Sequence, residues 1–228
     1  MLGDLWSFQG RYRTLHLTWI AFFLTFVVWF NLAPLATTVK ADLGLTVGQI
    51  RTVAICNVAL TIPARVLIGM LLDKFGPRIT YSSILVFSAI PCLLFASAQD
   101  FNQLVVARLL LSIVGAGFVI GIRMVAEWFP PKEIGLAEGI YGGWGNFGSA
   151  FSALTMVALA GFLSFSGGFE LPTGAVLNWR GAIALTGIVS AIYGLFYFFN
   201  VTDTPPGKTY QRPEKTAGLE VTSMRDFW

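Results

Sequence analysis

Charge is what this sequence has least of. Asp, Glu, Lys and Arg make up 12% of its 228 residues, whereas an ordinary soluble domain carries about 25%. A soluble fold keeps one face of every element in water, so the shortage excludes one, and the mean hydropathy of +0.70 excludes a disordered chain. Histidine occurs once and cysteine twice. Cys56 and Cys92 sit in separate apolar runs, with no second Cys or His at ligand spacing. They read as small buried hydrophobes, so neither a disulfide scaffold nor a metal site is implied, and no cofactor is expected. The formal net charge is only +3, too little for a nucleic-acid partner. What remains is a chain that is 55% hydrophobic, with 24 glycines. That composition suits closely packed helices in a lipid bilayer.

Long uncharged stretches locate the spans, because about 20 apolar residues cross a bilayer of roughly 30 Å. The first runs over 17–38 and the second over 49–72, interrupted only by Arg65. The third lies between Arg78 and Asp100. The fourth covers 102–129 and carries Arg108 and Arg123. The fifth lies between Glu138 and Glu170, and the sixth between Arg180 and Asp203. Short Gly- and Pro-containing turns separate them, so neighbours run antiparallel. The apolar run after Arg11 and Arg13 is too long for a signal peptide, and no small-residue cleavage site follows it.

The reading is an all-α membrane protein. It has a cytoplasmic amino terminus over 1–16, a six-helix bundle over 17–200 and a polar cytoplasmic segment over 201–228. Lys and Arg in short loops set orientation. Arg11, Arg13, Lys74, Arg78, Lys132, Lys208, Arg212, Lys215 and Arg225 fall on one side, against Lys40, Arg51 and Arg180 on the other. Both termini are therefore expected in the cytoplasm of a multi-pass plasma (inner) membrane protein. Met224-Arg225-Asp226-Phe227-Trp228 reads as the lead-in to a seventh helix, hence the first half of a longer protein cut at its central loop.

The segment Gly69-Met70-Leu71-Leu72-Asp73-Lys74-Phe75-Gly76-Pro77-Arg78 joins the second and third spans. Its pattern G-x-L-x-D-K-x-G-x-R resembles the signature loop of the major facilitator superfamily. The resemblance implies the amino-terminal bundle of a twelve-helix transporter. In that family this loop is a conformational latch, here Gly69, Asp73, Lys74, Gly76 and Arg78. Arg108, followed by Gly115 and Gly117, resembles the family's helix-four motif and is grouped with the latch. Arg123 and Glu127 stand at i, i+4 and read as an intrahelical ion pair.

Arg65 lies eight residues before Asp73, about 12 Å from the inner end of its helix. That depth is near the bilayer midplane, where a lone arginine costs roughly 2.5–3.5 kcal/mol on insertion scales. No acid lies within a turn on its own helix, and Glu127 and Glu138 sit near cytoplasmic ends. A charge so placed reads as an anion site. The fifth span carries Gly142-Gly143-Trp144-Gly145-Asn146-Phe147-Gly148. Gly143-x-Gly145-x-x-Gly148 matches the dinucleotide fingerprint, but that loop must follow a strand in water. Gly139 and Gly143 read as a helix-packing face, which leaves Asn146 unexplained. Asn146 lies eight residues from Glu138, again about 12 Å in, level with Arg65.

This run, with Ile62-Pro63-Ala64-Arg65, is similar to the nitrate/nitrite porter family of NarK-type and cyanobacterial-type nitrate permeases. The resemblance implies secondary transport of nitrate or nitrite by alternating access. It gives Arg65 the role of anion clamp and Asn146 that of hydrogen-bond donor, beside Gly143 and Gly145. A second arginine belongs to the other six-helix half, the expected partner. The chemistry fits: a planar guanidinium offers parallel N–H donors to a flat anion, as lysine cannot. Trp29 and Phe30 are candidates to sandwich its flat face. An intramembrane enzyme would need paired aspartates or a Ser/His or metal cluster at depth, and the sequence has none. The alternatives are a carrier for another small organic anion, a sugar or a drug, and a half-transporter fragment that does not transport alone.

Overall fold

The computed structural model describes residues 7–210. The expected seventh-helix lead-in, with Arg212, Lys215 and Arg225, lies outside the described residues. Six helical spans form the bundle: Gly10–Asp42, Val47–Phe75, Pro77–Ser97, Phe101–Trp128, Pro131–Ser166 and Trp179–Asn200. Each overlaps one of the uncharged stretches. Local chemistry sets their ends. Thr46 and Gln49 form a capping box at the start of the second span. Asp100 accepts from the Gln103 N–H (2.9 Å), and Asn178 accepts from the Gly181 N–H (2.7 Å). Pro77 and Pro131 stand at first helical positions, where a missing N–H costs nothing.

Four of the spans are interrupted, a feature the hydropathy pattern does not carry. The first breaks after Phe30 into a short 3₁₀ turn, Ala33–Leu35, containing Pro34. The second breaks between Ala59 and Thr61, because Pro63 has no N–H for the Ala59 carbonyl. The third breaks at Ser88, ahead of Pro91. The fourth passes through a 3₁₀ turn at Ile113–Ala116. In lipid the freed backbone groups must find partners inside the protein. The Trp29 carbonyl accepts from Asn57 Nδ2 (3.0 Å), and the Trp29 indole donates to the Asn57 carbonyl (2.7 Å). Leu60 N–H donates to Ser112 Oγ (3.3 Å), and Ser88 Oγ donates to the Leu85 carbonyl (2.6 Å).

Glycines set the closest helix approaches. A Cβ on Gly145 would overlap the Phe22 ring, and one on Gly148 would overlap the Phe23 carbonyl oxygen. The fifth span therefore lies flat against the first. Gly115 meets the Trp29 ring and Gly121 meets Tyr141. Among the described residues nothing lies within 4 Å of a Cβ at Gly139 or Gly143, so the expected packing face meets no neighbour there. The face is turned away from the bundle, and the packing falls to Gly145 and Gly148. Cys56 and Cys92 are both buried, as small hydrophobes are.

At one end of the bundle, a two-stranded hairpin, β1 (Phe169–Glu170) and β2 (Val176–Leu177), joins the fifth and sixth spans. Asp42 accepts from the Trp179 indole (2.8 Å) and pairs with Arg180 (3.4 Å). Arg180 also donates to the carbonyls of Ala96 and Ala98. That clasp joins the outer ends of the first, third and sixth spans. At the opposite end, Arg11 pairs with Glu133 (2.8 Å), and the expected Arg123–Glu127 pair is formed (2.9 Å).

Candidate functional site

Arg65 stands on an exposed face of the second span. Among the described residues its guanidinium has no hydrogen-bond or ion-pair partner. Asn146 is also exposed, on the fifth span. Its Nδ2 donates to the Gly142 carbonyl (2.7 Å), which anchors the amide and leaves its second N–H and its oxygen directed away from that carbonyl. The first span serves as a ruler between the two. Trp29 is bonded to Asn57, and Arg65 lies eight residues further in, about 12 Å. Gly145 and Gly148 bracket Asn146 and meet Phe22, Phe23 and Phe26, which lie about 4–11 Å inward of Trp29. Arg65 and Asn146 therefore come within about one helical turn of the same depth, 5.4 Å.

The remaining site residues divide. Gly143 is exposed, with open space around it, on the same helix as Asn146. Gly145 is buried under Phe22, so its part is packing the site's wall. Trp29 is 8% exposed, with its ring against Gly115 and its indole N–H committed to Asn57. That commitment removes it as a surface for sandwiching an anion beside Arg65. Phe30 is half-buried and lines a separate outer cavity.

Most of the residues expected to form the latch gather at the end of the bundle shared by Arg11 and Asn200. Gly76 adopts φ +83°, a conformation side-chain-bearing residues avoid, and so turns the chain between the second and third spans. A Cβ there would also strike the Asp203 carboxylate, 2.7 Å away. Asp203 accepts from the Arg78 N–H (2.7 Å), placing a negative charge at the start of the third span. The Arg78 guanidinium lies over Phe198 (4.6 Å). Tyr210 donates to the Leu72 carbonyl (3.1 Å), and Arg123 lies over its ring (5.7 Å). Burial raises the Tyr210 pKa, opposed by the nearby Arg123 charge, so the hydroxyl stays a donor at neutral pH. Asp73 and Lys74 are exposed, and no described residue lies within 4 Å of a Cβ on Gly69.

Two corrections follow. Arg108 does not belong to this cluster. It lies in the first part of the fourth span, away from the Gly69–Arg78 loop, and is buried, donating to Asn31 Oδ1 (3.0 Å) and to the Trp29 carbonyl (2.9 Å). The motif resemblance placed it on a helix, but the helix's direction places it at the opposite end from the loop. Asp203 was not singled out by the sequence. Its only signal was being the first acid after the sixth span.

Asp203→Ala is expected to lower the protein's stability by about 0.5–2 kcal/mol, the usual loss on removing a helix-start acceptor. Asp73→Asn, which removes an exposed carboxylate, should leave the melting temperature unchanged. Thermal melts in detergent check both. An unchanged Asp203→Ala melt would remove Asp203 from the cluster.

The Major Facilitator Superfamily family model matches residues 18–228. The nitrate/nitrite transporter NrtP of Picosynechococcus sp. is 62% identical over all of this chain, which covers 45% of that protein. NrtP of Nostoc punctiforme is 60% identical, again over the whole chain and 44% of the relative. The chain thus spans about half the length of the curated relatives it matches. Among solved structures, a bacterial homologue of the human lysosomal transporter Spinster, in an inward-facing unoccupied conformation, superposes with a TM-score of 0.69. It is 20% identical, with 95% of this chain and 48% of that one covered, and so speaks for the fold alone. Six membrane-length helices, the Gly69–Arg78 loop between the second and third of them and the match over 18–228 agree: this chain belongs to the Major Facilitator Superfamily.

Proposed function

We propose that this chain forms the amino-terminal half of a secondary transporter that moves nitrate, nitrite or both by alternating access. The observation that carries the reading is Arg65: a permanent charge about 12 Å from the helix end, without a partner among the described residues, at nearly the depth of Asn146. Charges inside a membrane bundle face a pathway or a partner. A bare guanidinium on one helix and an amide donor at nearly its depth on another suit a flat, delocalised monovalent anion held between them. The names of the two relatives above, at 62% and 60% identity, support the same substrate. Two bundles rocking about a midplane site is the corresponding movement, with the second bundle supplying the other wall.

In this reading Arg65 anchors the anion electrostatically and Asn146 orients it. Gly143 keeps the neighbouring wall low. The loop of Gly69, Asp73, Lys74, Gly76 and Arg78 latches the inner helix ends in one conformation. The loop-charge bias supports an inner-membrane orientation with both termini cytoplasmic.

The test is thermal stability of the full-length protein against an anion series. Nitrate and nitrite should raise the melting temperature at millimolar concentration, chlorate should do so less, and sulfate should not. Equal shifts with sulfate, or none with nitrate and nitrite, would overturn the reading.

A further inference from the structure

The second span carries a second face, turned away from Arg65. On the continuous helix Thr61–Phe75, Leu67 lies about 200° round from Arg65 at 3.6 residues per turn. Leu71 and Phe75 extend the Leu67 stripe at spacings of four, and Lys74 joins it seven residues after Leu67. Opposite them, Ile79, Ser83 and Phe87 form a matching stripe on the helix Pro77–Phe87.

The two stripes line a groove of about 470 Å³. The helices run antiparallel from the turn at Gly76, so Phe75 and Ile79 stand at its loop end, and Leu67 and Phe87 at its deep end. Eight residues of helix make it about 12 Å long, most of the roughly 15 Å that one leaflet contributes to the hydrocarbon core. Leu67 is 55% exposed and Phe75 46%. The Thr80 hydroxyl donates to the Gly76 carbonyl (2.8 Å), so the lining is apolar apart from Ser83.

An apolar groove in a bilayer takes acyl chains without selecting among lipids. A cation at its mouth adds selection. Lys74 Nζ lies over the Phe75 ring, 5.1 Å from its centroid, and has no ion-pair partner among the described residues. A lysine near a helix end covers apolar surface with its stem and holds its ammonium at headgroup level. The neighbouring charges serve other faces. Asp73 lies about 100° round the helix from Lys74, close enough to Tyr210 to act on its hydroxyl. Arg78 lies over Phe198 of the sixth span (4.6 Å).

We propose that this groove binds an anionic phospholipid of the leaflet at the Gly69–Arg78 end, with one acyl chain between the second and third spans and the phosphate paired with Lys74. The bound lipid splints the two helices on the flank away from Arg65. The proposal requires only that the chain spans a bilayer, and it is independent of which anion is transported.

The test uses full-length protein in nanodiscs of phosphatidylcholine with a small fraction of phosphatidylglycerol that carries a photoactivatable diazirine in its acyl chain. Mass spectrometry locates the cross-linked peptides. Labelling should concentrate on 67–75 and 79–87, above that of the exposed sixth-span face at Ile192, Leu195 and Phe199. Lys74→Gln should cut groove labelling about fivefold, the effect of one basic residue beside anionic lipid, and leave sixth-span labelling unchanged. Lys74→Arg should retain it. Ser83→Trp, which fills the groove, should remove it with Lys74 intact. Photoactive phosphatidylcholine should label the groove no more than the sixth-span face. Groove labelling no higher than that of the sixth-span face, or equal with the two lipids, overturns the proposal. So does groove labelling unchanged in Lys74→Gln.

Discussion

Arg65→Lys is expected to abolish nitrate uptake almost as completely as Arg65→Ala. Lysine keeps the charge but replaces a planar fork with a compact, strongly hydrated point charge. A trigonal anion that accepts two parallel N–H bonds from the guanidinium would find one bond, from a group that resists dehydration. Hydrogen bonds to charged groups contribute about 1.5–3 kcal/mol each, so losing one lowers affinity by roughly 10- to 150-fold. Folding should be unaffected, because Arg65 is exposed and makes no ion pair among the described residues. Expression and monodispersity of the lysine variant should match the parent. Asn146→Ala should weaken binding less, by about 1–3 kcal/mol for one hydrogen bond to a charged ligand. Nitrate uptake and binding in full-length variants decide the matter. A lysine variant with parental rate and affinity would sink the clamp and leave a major facilitator of another substrate.

The second large effect separates two glycines five residues apart. Gly148→Ala should disrupt the bundle, because the new methyl would overlap the Phe23 backbone carbonyl. That oxygen belongs to a continuous helix, Gly10–Phe30, and cannot rotate aside as a side-chain tip would. Overpacking of this kind costs about 1–3 kcal/mol and occasionally more. Low yield and aggregation on size-exclusion chromatography are the expected readouts. Gly143→Ala should fold at least as well as the parent, since its Cβ position is open and alanine favours a helix interior by about 1 kcal/mol over glycine. Its loss should appear in transport, where the methyl narrows the face beside Asn146. A monodisperse Gly148→Ala at the parental melting temperature would show that the first and fifth spans can separate without harm.

These two cases mark how far the sequence could be read. The six spans were legible because a bilayer demands long uncharged runs, and the loop chemistry at Gly76-Pro77 and Pro130-Pro131 punctuates them. Arg65 was legible because a charge in such a run is costly enough to need a purpose. The Arg123–Glu127 pair was legible because i, i+4 spacing puts both on one helix face. Asn146 stood out as an amide among glycines.

Other assignments needed the assembled bundle. In a soluble helix the apolar stripe marks the buried face, but lipid is as apolar as the protein interior. The glycine run therefore did not reveal that Gly145 and Gly148 face the first span while Gly143 faces outward. Trp29 was one of two aromatic candidates to sandwich the anion, and the sequence held no sign that its indole bonds Asn57 across a helix break. The partnership of Arg78 with Asp203 joins residues 125 positions apart, a separation no local pattern records. Arg108 shares a motif with the superfamily, yet its surroundings come from three helices crossing at the level where the first is broken. The sequence by itself determined which segments cross the membrane and which charge in them required an explanation, since both follow from the energy of moving residues from water to lipid. Only the tertiary structure decided which neighbour each helix face meets, because that depends on shape and close packing between segments far apart in the chain.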